Sequence, residues 1–161
     1  MPVLGLTLGK FAPLHLGHQF LIDSALQQVD QLVILIYDCD ELPHISLQQR
    51  ANWIKQLYPK TQVLQAFDGP KQTGYSPEII AQHNHYLQMR LQDYCFDYFF
   101  SSEPYGQHVS EALSCIDVRV DEARSSVPIS ATLIRQNPTR YQEFLSPIVF
   151  NDLMAAHTML F

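Results

Sequence analysis

Positive charge is scarce in this chain: ten Lys and Arg stand against sixteen Asp and Glu, a formal net charge of -6 over 161 residues. A general nucleic-acid grip needs a basic face, so binding to DNA or RNA is not expected. Four of the ten cations (Arg119, Arg124, Arg135 and Arg140) fall within 22 positions late in the chain. A small anionic ligand therefore stays open, provided those few charges are focused on it. Cysteine is scarce as well. Cys39, Cys95 and Cys115 are widely spaced and fit neither a CxxC metal knuckle nor a disulfide framework. They are expected to be reduced, mostly buried thiols of a cytoplasmic protein. No apolar run approaches the roughly 20 residues that span a bilayer. The start has no basic n-region or small-residue cleavage site, so neither a membrane span nor a secretory signal is expected. Two nucleotide-binding patterns are also missing. There is no GxGxxG. The stretch Gly5 to Phe11 has three residues between its glycines, not the four of a P-loop, and Phe11 where a hydroxyl must meet magnesium. An ordinary P-loop kinase and a nicotinamide dehydrogenase are both disfavoured.

What remains is a chain of globular composition, 47% apolar and 16% charged, with the length of one domain covering residues 1–161. Apolar runs at Val3–Leu8, Gln31–Tyr37, Gln62–Phe67, Tyr98–Ser101 and Asp117–Val120 read as strands. Between them, His18–Val29, Ile45–Leu57 with Ser46 as N-cap, Ser76 to about Tyr94, and Pro104–Leu113 read as helices. A short helix is expected over Ser130–Arg135, and Pro138 is expected to open another. Strands alternating with helices predict an α/β fold. It is a Rossmann-like, doubly wound parallel sheet of about five strands with helices on both faces. Ligands in such sheets sit beyond the C-terminal strand ends, where strand order reverses. The loops that follow strands one to four should converge there.

Gly9 to His18, read as Gly-Lys-Phe-Ala-Pro-Leu-His-Leu-Gly-His, lies where the first strand hands over to the first helix. Free backbone N–H groups and the helix dipole favour an anion at such a junction. With a helix starting near Leu16, His15 lies just before it and His18 in its first turn, so both can reach one phosphate group. Pro13 stiffens the loop, and Gly17 permits close approach to the backbone. A second constellation, Ile129-Ser130-Ala131-Thr132-Leu133-Ile134-Arg135, has its Ser130 112 residues beyond His18. Ser130 can cap a helix, and Arg135 can fork onto phosphate oxygens.

Together these motifs resemble the nucleotidylyltransferase superfamily with HxGH and ISxTxxR signatures. Further stretches resemble the nicotinamide mononucleotide (NMN) adenylyltransferase domain of bacterial NadR-type proteins. They are Gly9-Lys10-Phe11, Ser102-Glu103, Val120-Asp121-x-x-Arg124-Ser125, and Ile134-Arg135-x-Asn137-Pro138-x-Arg140-Tyr141-x-Glu143. The likeness spans nearly the whole chain and is strongest at its two ends. It implies attack of the NMN 5′-phosphate on the α-phosphorus of ATP, giving NAD and pyrophosphate, with Mg2+ entering with the ATP. On this resemblance His15, His18 and Arg135 are the catalytic residues, His18 facing the α-phosphate. Gly9, Lys10, Phe11, Gly17, Ser102, Asp121, Arg124, Ser130 and Thr132 form the ATP site, with Ser101 and Glu103 beside the adenosine. For Asp121 and Arg124, an ordinary surface ion pair is an equal alternative. The acceptor pocket is expected near Tyr37 and Asp38, with Trp53, Tyr75 or Tyr86 stacking on the ring. Many family members carry Gly where this chain has Ala131, a change tolerated if the backbone there is right-handed. NadR-type proteins often add a kinase domain or a DNA-binding segment. This chain is expected to be the adenylyltransferase alone.

His83-Asn84-His85 has two imidazoles, but positions i and i+2 do not share a helix face, so no metal-ligating residues are expected. The rivals are a pantetheine-phosphate adenylyltransferase with the same ATP motifs, and a non-catalytic nucleotide-binding module. A cytidylyltransferase would carry an RTxGISTT-like second motif, which is not seen. The partners expected are ATP and NMN. The oligomeric state, monomer or homo-oligomer, is left open.

Overall fold

Residues 2–158 are described by the computed structural model. Five parallel strands, β1 (Leu4–Gly9), β2 (Gln31–Tyr37), β3 (Gln62–Ala66), β4 (Tyr98–Ser101) and β5 (Ile116–Arg119), form one sheet in the order β3-β2-β1-β4-β5. Strand order reverses between β1 and β4, so the sheet is doubly wound and Rossmann-like, as the alternation of elements predicts. The helices are α1 (Leu16–Leu26), α2 (Leu47–Leu57), α3 (Pro77–Arg90), α4 (Gly106–Ala112), α5 (Ala131–Gln136) and α6 (Pro147–Thr158). Among the described residues, no helix is long and apolar enough to cross a membrane.

Alternation along β2 sorts the core into two layers. Leu32, Ile34 and Ile36 pack with Ile22 of α1, Trp53 and Ile54 of α2, and Val149 of α6. Val33 and Leu35 pack with Leu6 of β1, Leu87 of α3 and Val109 of α4 on the other face. Ser46 and Ser76 cap α2 and α3 as expected, accepting N–H bonds from Gln49 and Ile79.

Two expectations fail here. Pro138 does not open a helix: the Asn137 side chain accepts the Arg140 N–H at 3.2 Å and closes a turn instead. A 3-10 turn at Gln142–Phe144 follows, and α6 starts at Pro147. The cysteines are free, but none is buried. Cys95 is exposed, and Cys39 and Cys115 are half-buried, because all three lie in connections between elements.

Gly5 lets the central strand pass close to its cover. A Cβ there would stand 2.9 Å from both the Phe100 ring and Val29 Cγ1. Gly5→Ala is expected to destabilise the fold by about 1–3 kcal/mol, because an overpacked core outweighs the entropy gained. Thermal unfolding of the purified variant measures it.

Candidate functional site

The C-terminal ends of β1 and β4 diverge at the reversal point, and a cavity of about 640 Å³ opens above them. It is lined from both faces of the sheet. One side is built by the loop after β1, by His15, Gly17 and His18, and by Ser130 to Thr132 with Arg135. The other is built by Tyr37, Thr73 to Tyr75, His83 of α3, Tyr105, and His108 of α4.

The turn into α1 is organised by its own histidines. His15 is the N-cap, and its ring Nδ1 accepts the N–H of Gly17 at 3.0 Å and of His18 at 3.4 Å. In return, His18 Nδ1 accepts the His15 N–H at 3.2 Å. This is a capping box made from two imidazoles. The rings stack with centroids 3.7 Å apart and 21° between planes. An imidazole whose Nδ1 accepts an N–H must carry its proton on Nε2 when neutral. Both rings are held neutral. Burial, with Arg124 nearby, lowers the His15 pKa to about 4. Burial, His15 and Arg124 push His18 well below its ordinary value. Each histidine thus presents an uncharged Nε2–H donor.

Gly17 serves this cap directly. A Cβ at Gly17 would lie 2.8 Å from His15 Cε1 and 2.9 Å from its Nδ1. The close approach that glycine permits here is by the His15 ring. Phe11 adopts φ 49 and meets His18 edge-on, centroids 4.9 Å apart. The Ala12–Pro13 peptide is cis.

The second motif docks onto the first. Ser130 caps α5 through the Leu133 N–H. Arg135 Nη1 donates to the Ala12 carbonyl at 2.7 Å, while its Nη2 donates to Thr132 Oγ1 at 3.2 Å. Ala131 opens the helix and is not among the positive-φ residues, so its methyl group is accommodated. Arg124 Nη1 donates to the Ile129 carbonyl at 2.8 Å, and its other end lies 3.8 Å from Glu103. Asp121 does not pair with it. The Asp121 carboxylate accepts the N–H groups of Ser125, Ser126 and Val127, which hold it below the usual carboxylate range. Ser102 Oγ donates to the Val120 carbonyl at 2.7 Å. Lys10 pairs with Glu41 at 2.6 Å at the cavity edge. Gly9, Lys10, Phe11, Ser102, Asp121, Arg124, Ser130, Thr132 and Arg135 therefore all line the one cavity.

The expected acceptor residues divide. Tyr37 and Tyr75 line the cavity. Trp53 does not: it is 1% exposed in the core, and its Nε1 donates to Asp152 at 2.7 Å, tying α2 to α6. Tyr86 turns outward, its hydroxyl bonded to Asp68 at 2.8 Å, beside a separate shallow depression. Asp38 accepts from Cys39 N and from Arg50 and is not a lining residue. Four contributors are not among the residues expected at the site. His83, Tyr105 and His108 line the cavity. Arg50, 1% exposed, donates to the carbonyls of Lys10 at 2.5 Å and Tyr37 at 3.0 Å. The signal for Arg50 was a cation on the apolar helix face of Trp53 and Ile54. His83 and His85 part company as their spacing requires, one into the cavity and the other to the outer depression.

A family profile described as Cytidylyltransferase-like matches residues 6–137. The chain belongs to that family. It is 30% identical, over 88% of its length, to the trifunctional NAD biosynthesis/regulator protein NadR of Salmonella typhimurium strain LT2, and equally to NadR of Escherichia coli K12. It spans 38% of the length of each of these relatives. A crystal structure of NadR in complex with NAD and AMP-PNP shares the fold, with TM-score 0.67 and 18% identity over 92% of this chain and 46% of that one. So does a bifunctional NMN adenylyltransferase/ADP ribose pyrophosphatase from Francisella tularensis, complexed with AMP and manganese. Its TM-score is 0.64 at 18% identity, over 96% of this chain and 49% of that one.

The neutral histidines make the stability of this cytidylyltransferase-like chain depend on pH. Above the ordinary imidazole pKa of 6.5, both states hold neutral His15 and the stability is fully present. As pH falls from 6.5 towards 4, the unfolded chain binds a proton that the folded one refuses. Stability then falls by roughly 1.4 kcal/mol per pH unit for one such group, and His18 adds in the same direction. Urea unfolding should show a lower midpoint at about pH 5 than at about pH 7.5. The drop should shrink in His15→Asn, whose amide oxygen keeps the cap without titrating.

Proposed function

We propose that this chain transfers the adenylyl group of ATP to nicotinamide mononucleotide, giving NAD and pyrophosphate. One observation carries the reading. The HxGH turn and the ISxTxxR helix meet through the Arg135–Ala12 bond at the rim of one cavity, and both motifs resemble those of the nucleotidylyltransferase superfamily. The relatives' names, which concern NAD biosynthesis and NMN adenylylation, point the same way.

In this reading the NMN 5′-phosphate oxygen attacks the α-phosphorus of ATP. A new P–O bond forms, the bond from the α-phosphorus to the bridging oxygen breaks, and pyrophosphate leaves. The protein contributes position and field more than bond chemistry. The Nε2–H groups of His15 and His18 donate to phosphate oxygens, His18 to the α-phosphate as negative charge builds there. Ser130, Thr132 and Arg135 hold the β- and γ-phosphates. Lys10 and Arg124 add positive field, and Gly9, Phe11, Ser102 and Asp121 shape the nucleotide's seat. The donors present are hydroxyls, imidazoles and cations, which suit phosphate oxygens. Magnesium belongs to this scheme as part of the Mg-ATP substrate. Tyr37 and Tyr75 stand on the acceptor side.

Purified protein supplied with Mg-ATP and NMN should form NAD and pyrophosphate in equal amounts. His18→Ala should lower kcat by roughly 100-fold or more with the circular dichroism spectrum unchanged. Turnover of phosphopantetheine in place of NMN would move the assignment to that acceptor. Nucleotide binding without any turnover would make the chain a regulatory module.

A further inference from the structure

The cavity wall built by α3, α4 and the loop before α3 differs chemically from the wall at α1 and α5. The lining cations Lys10, Arg124 and Arg135 all come from elsewhere. What α3, α4 and the loop present instead is aromatic, with no lysine or arginine: Tyr75, His83 and His108, with Tyr37 and Tyr105 beside them. Tyr75 meets His108 edge-on with centroids 6.5 Å apart, and Tyr37 meets His83 likewise at 6.0 Å. This is a seat for a flat, uncharged portion of a ligand.

The two histidines are fixed in tautomer by their partners. His108 Nδ1 lies 2.7 Å from Asn84 Oδ1. That oxygen only accepts, so Nδ1 carries the proton and Nε2 is left as an acceptor. His83 Nε2 lies 2.7 Å from the Gln72 carbonyl, so it too donates, and in the neutral ring Nδ1 is left as an acceptor. In their neutral form both rings offer lone pairs. The titratable groups around His108 are His83 from α3, Tyr75 from the preceding loop and Glu111 from its own helix. Burial and His83 lower its pKa against the opposing pull of Glu111.

We propose that His108, set by Asn84, selects a pyridine mononucleotide bearing a carboxamide over one bearing a carboxylate. Its Nε2 lone pair accepts an N–H from the amide. A carboxylate has no hydrogen to give and meets lone pairs with no cation beside them. This rests on the reading of the acceptor as a pyridine mononucleotide. His108 is a specificity residue that touches substrate, and Asn84 is a positioning residue that acts through it.

The test compares kcat/KM for NMN and for nicotinate mononucleotide, with Mg-ATP, in the native protein, Asn84→Asp and His108→Leu. A ratio of the two substrates in one preparation is insensitive to the folded fraction. The native protein should prefer NMN by about 100-fold. Asn84→Asp has the same shape but stabilises the imidazolium, which turns Nε2 into a donor. Its preference should narrow by about tenfold or more, and further as pH falls. His108→Leu should lose activity with NMN while that with the acid changes little. Equal use of the two substrates by the native protein, or an unchanged ratio in both variants, overturns the selection by His108. If neither mononucleotide is adenylated while another phosphate acceptor is, the pyridine-nucleotide reading falls and takes this inference with it.

Discussion

The reciprocal cap between His15 and His18 is the constraint on which the site depends. Two backbone N–H groups at the start of α1 need acceptors, and the His15 ring supplies one nitrogen to both. That bond fixes where the ring lies, which nitrogen carries its proton, and why position 17 has no side chain. An ordinary serine or aspartate cap would satisfy the helix equally well. It would leave no Nε2–H behind. Helix termination and donor placement are here the same interaction.

The remaining ties hold loops from distant parts of the chain against that turn. Arg135 reaches the Ala12 carbonyl across 123 positions of sequence. Arg50 joins the carbonyls at the ends of β1 and β2 from beneath, with its charge buried and its Nε unpartnered. A buried arginine of this kind is a costly spacer. It stands because two carbonyls at the C-terminal ends of parallel strands need donors that no neighbouring strand can give. Arg124 likewise satisfies the Ile129 carbonyl just before the Ser130 cap. The three arginines are backbone ties, and two of them, Arg124 and Arg135, also line the cavity.

The cavity is consequently two-sided. Cationic side chains and neutral imidazole donors gather by α1 and α5, while tyrosines and acceptor histidines gather by α3 and α4. A ligand with a charged phosphate portion and a flat neutral portion matches this division. Burial enforces it by holding His15 and His18 neutral in the absence of an anion.

By itself the sequence determined what is local or periodic. The strands of the sheet follow from short apolar runs, the caps from Ser46, Ser76 and Ser130, and the donor turn from HxGH beside a strand end. Local stretches carry these signals because backbone pairing and capping involve neighbours in the chain. Only the tertiary structure decided which aromatic faces the cavity. Trp53, Tyr75 and Tyr86 are equivalent by residue type, yet one lies in the core, one at the wall and one outside. It also turned Asp121 from a pairing candidate into a loop anchor, and brought His83 and His108 from two helices to one wall. Those outcomes depend on which faces meet when helices dock on a twisted sheet. No stretch of sequence shorter than the whole domain contains that information.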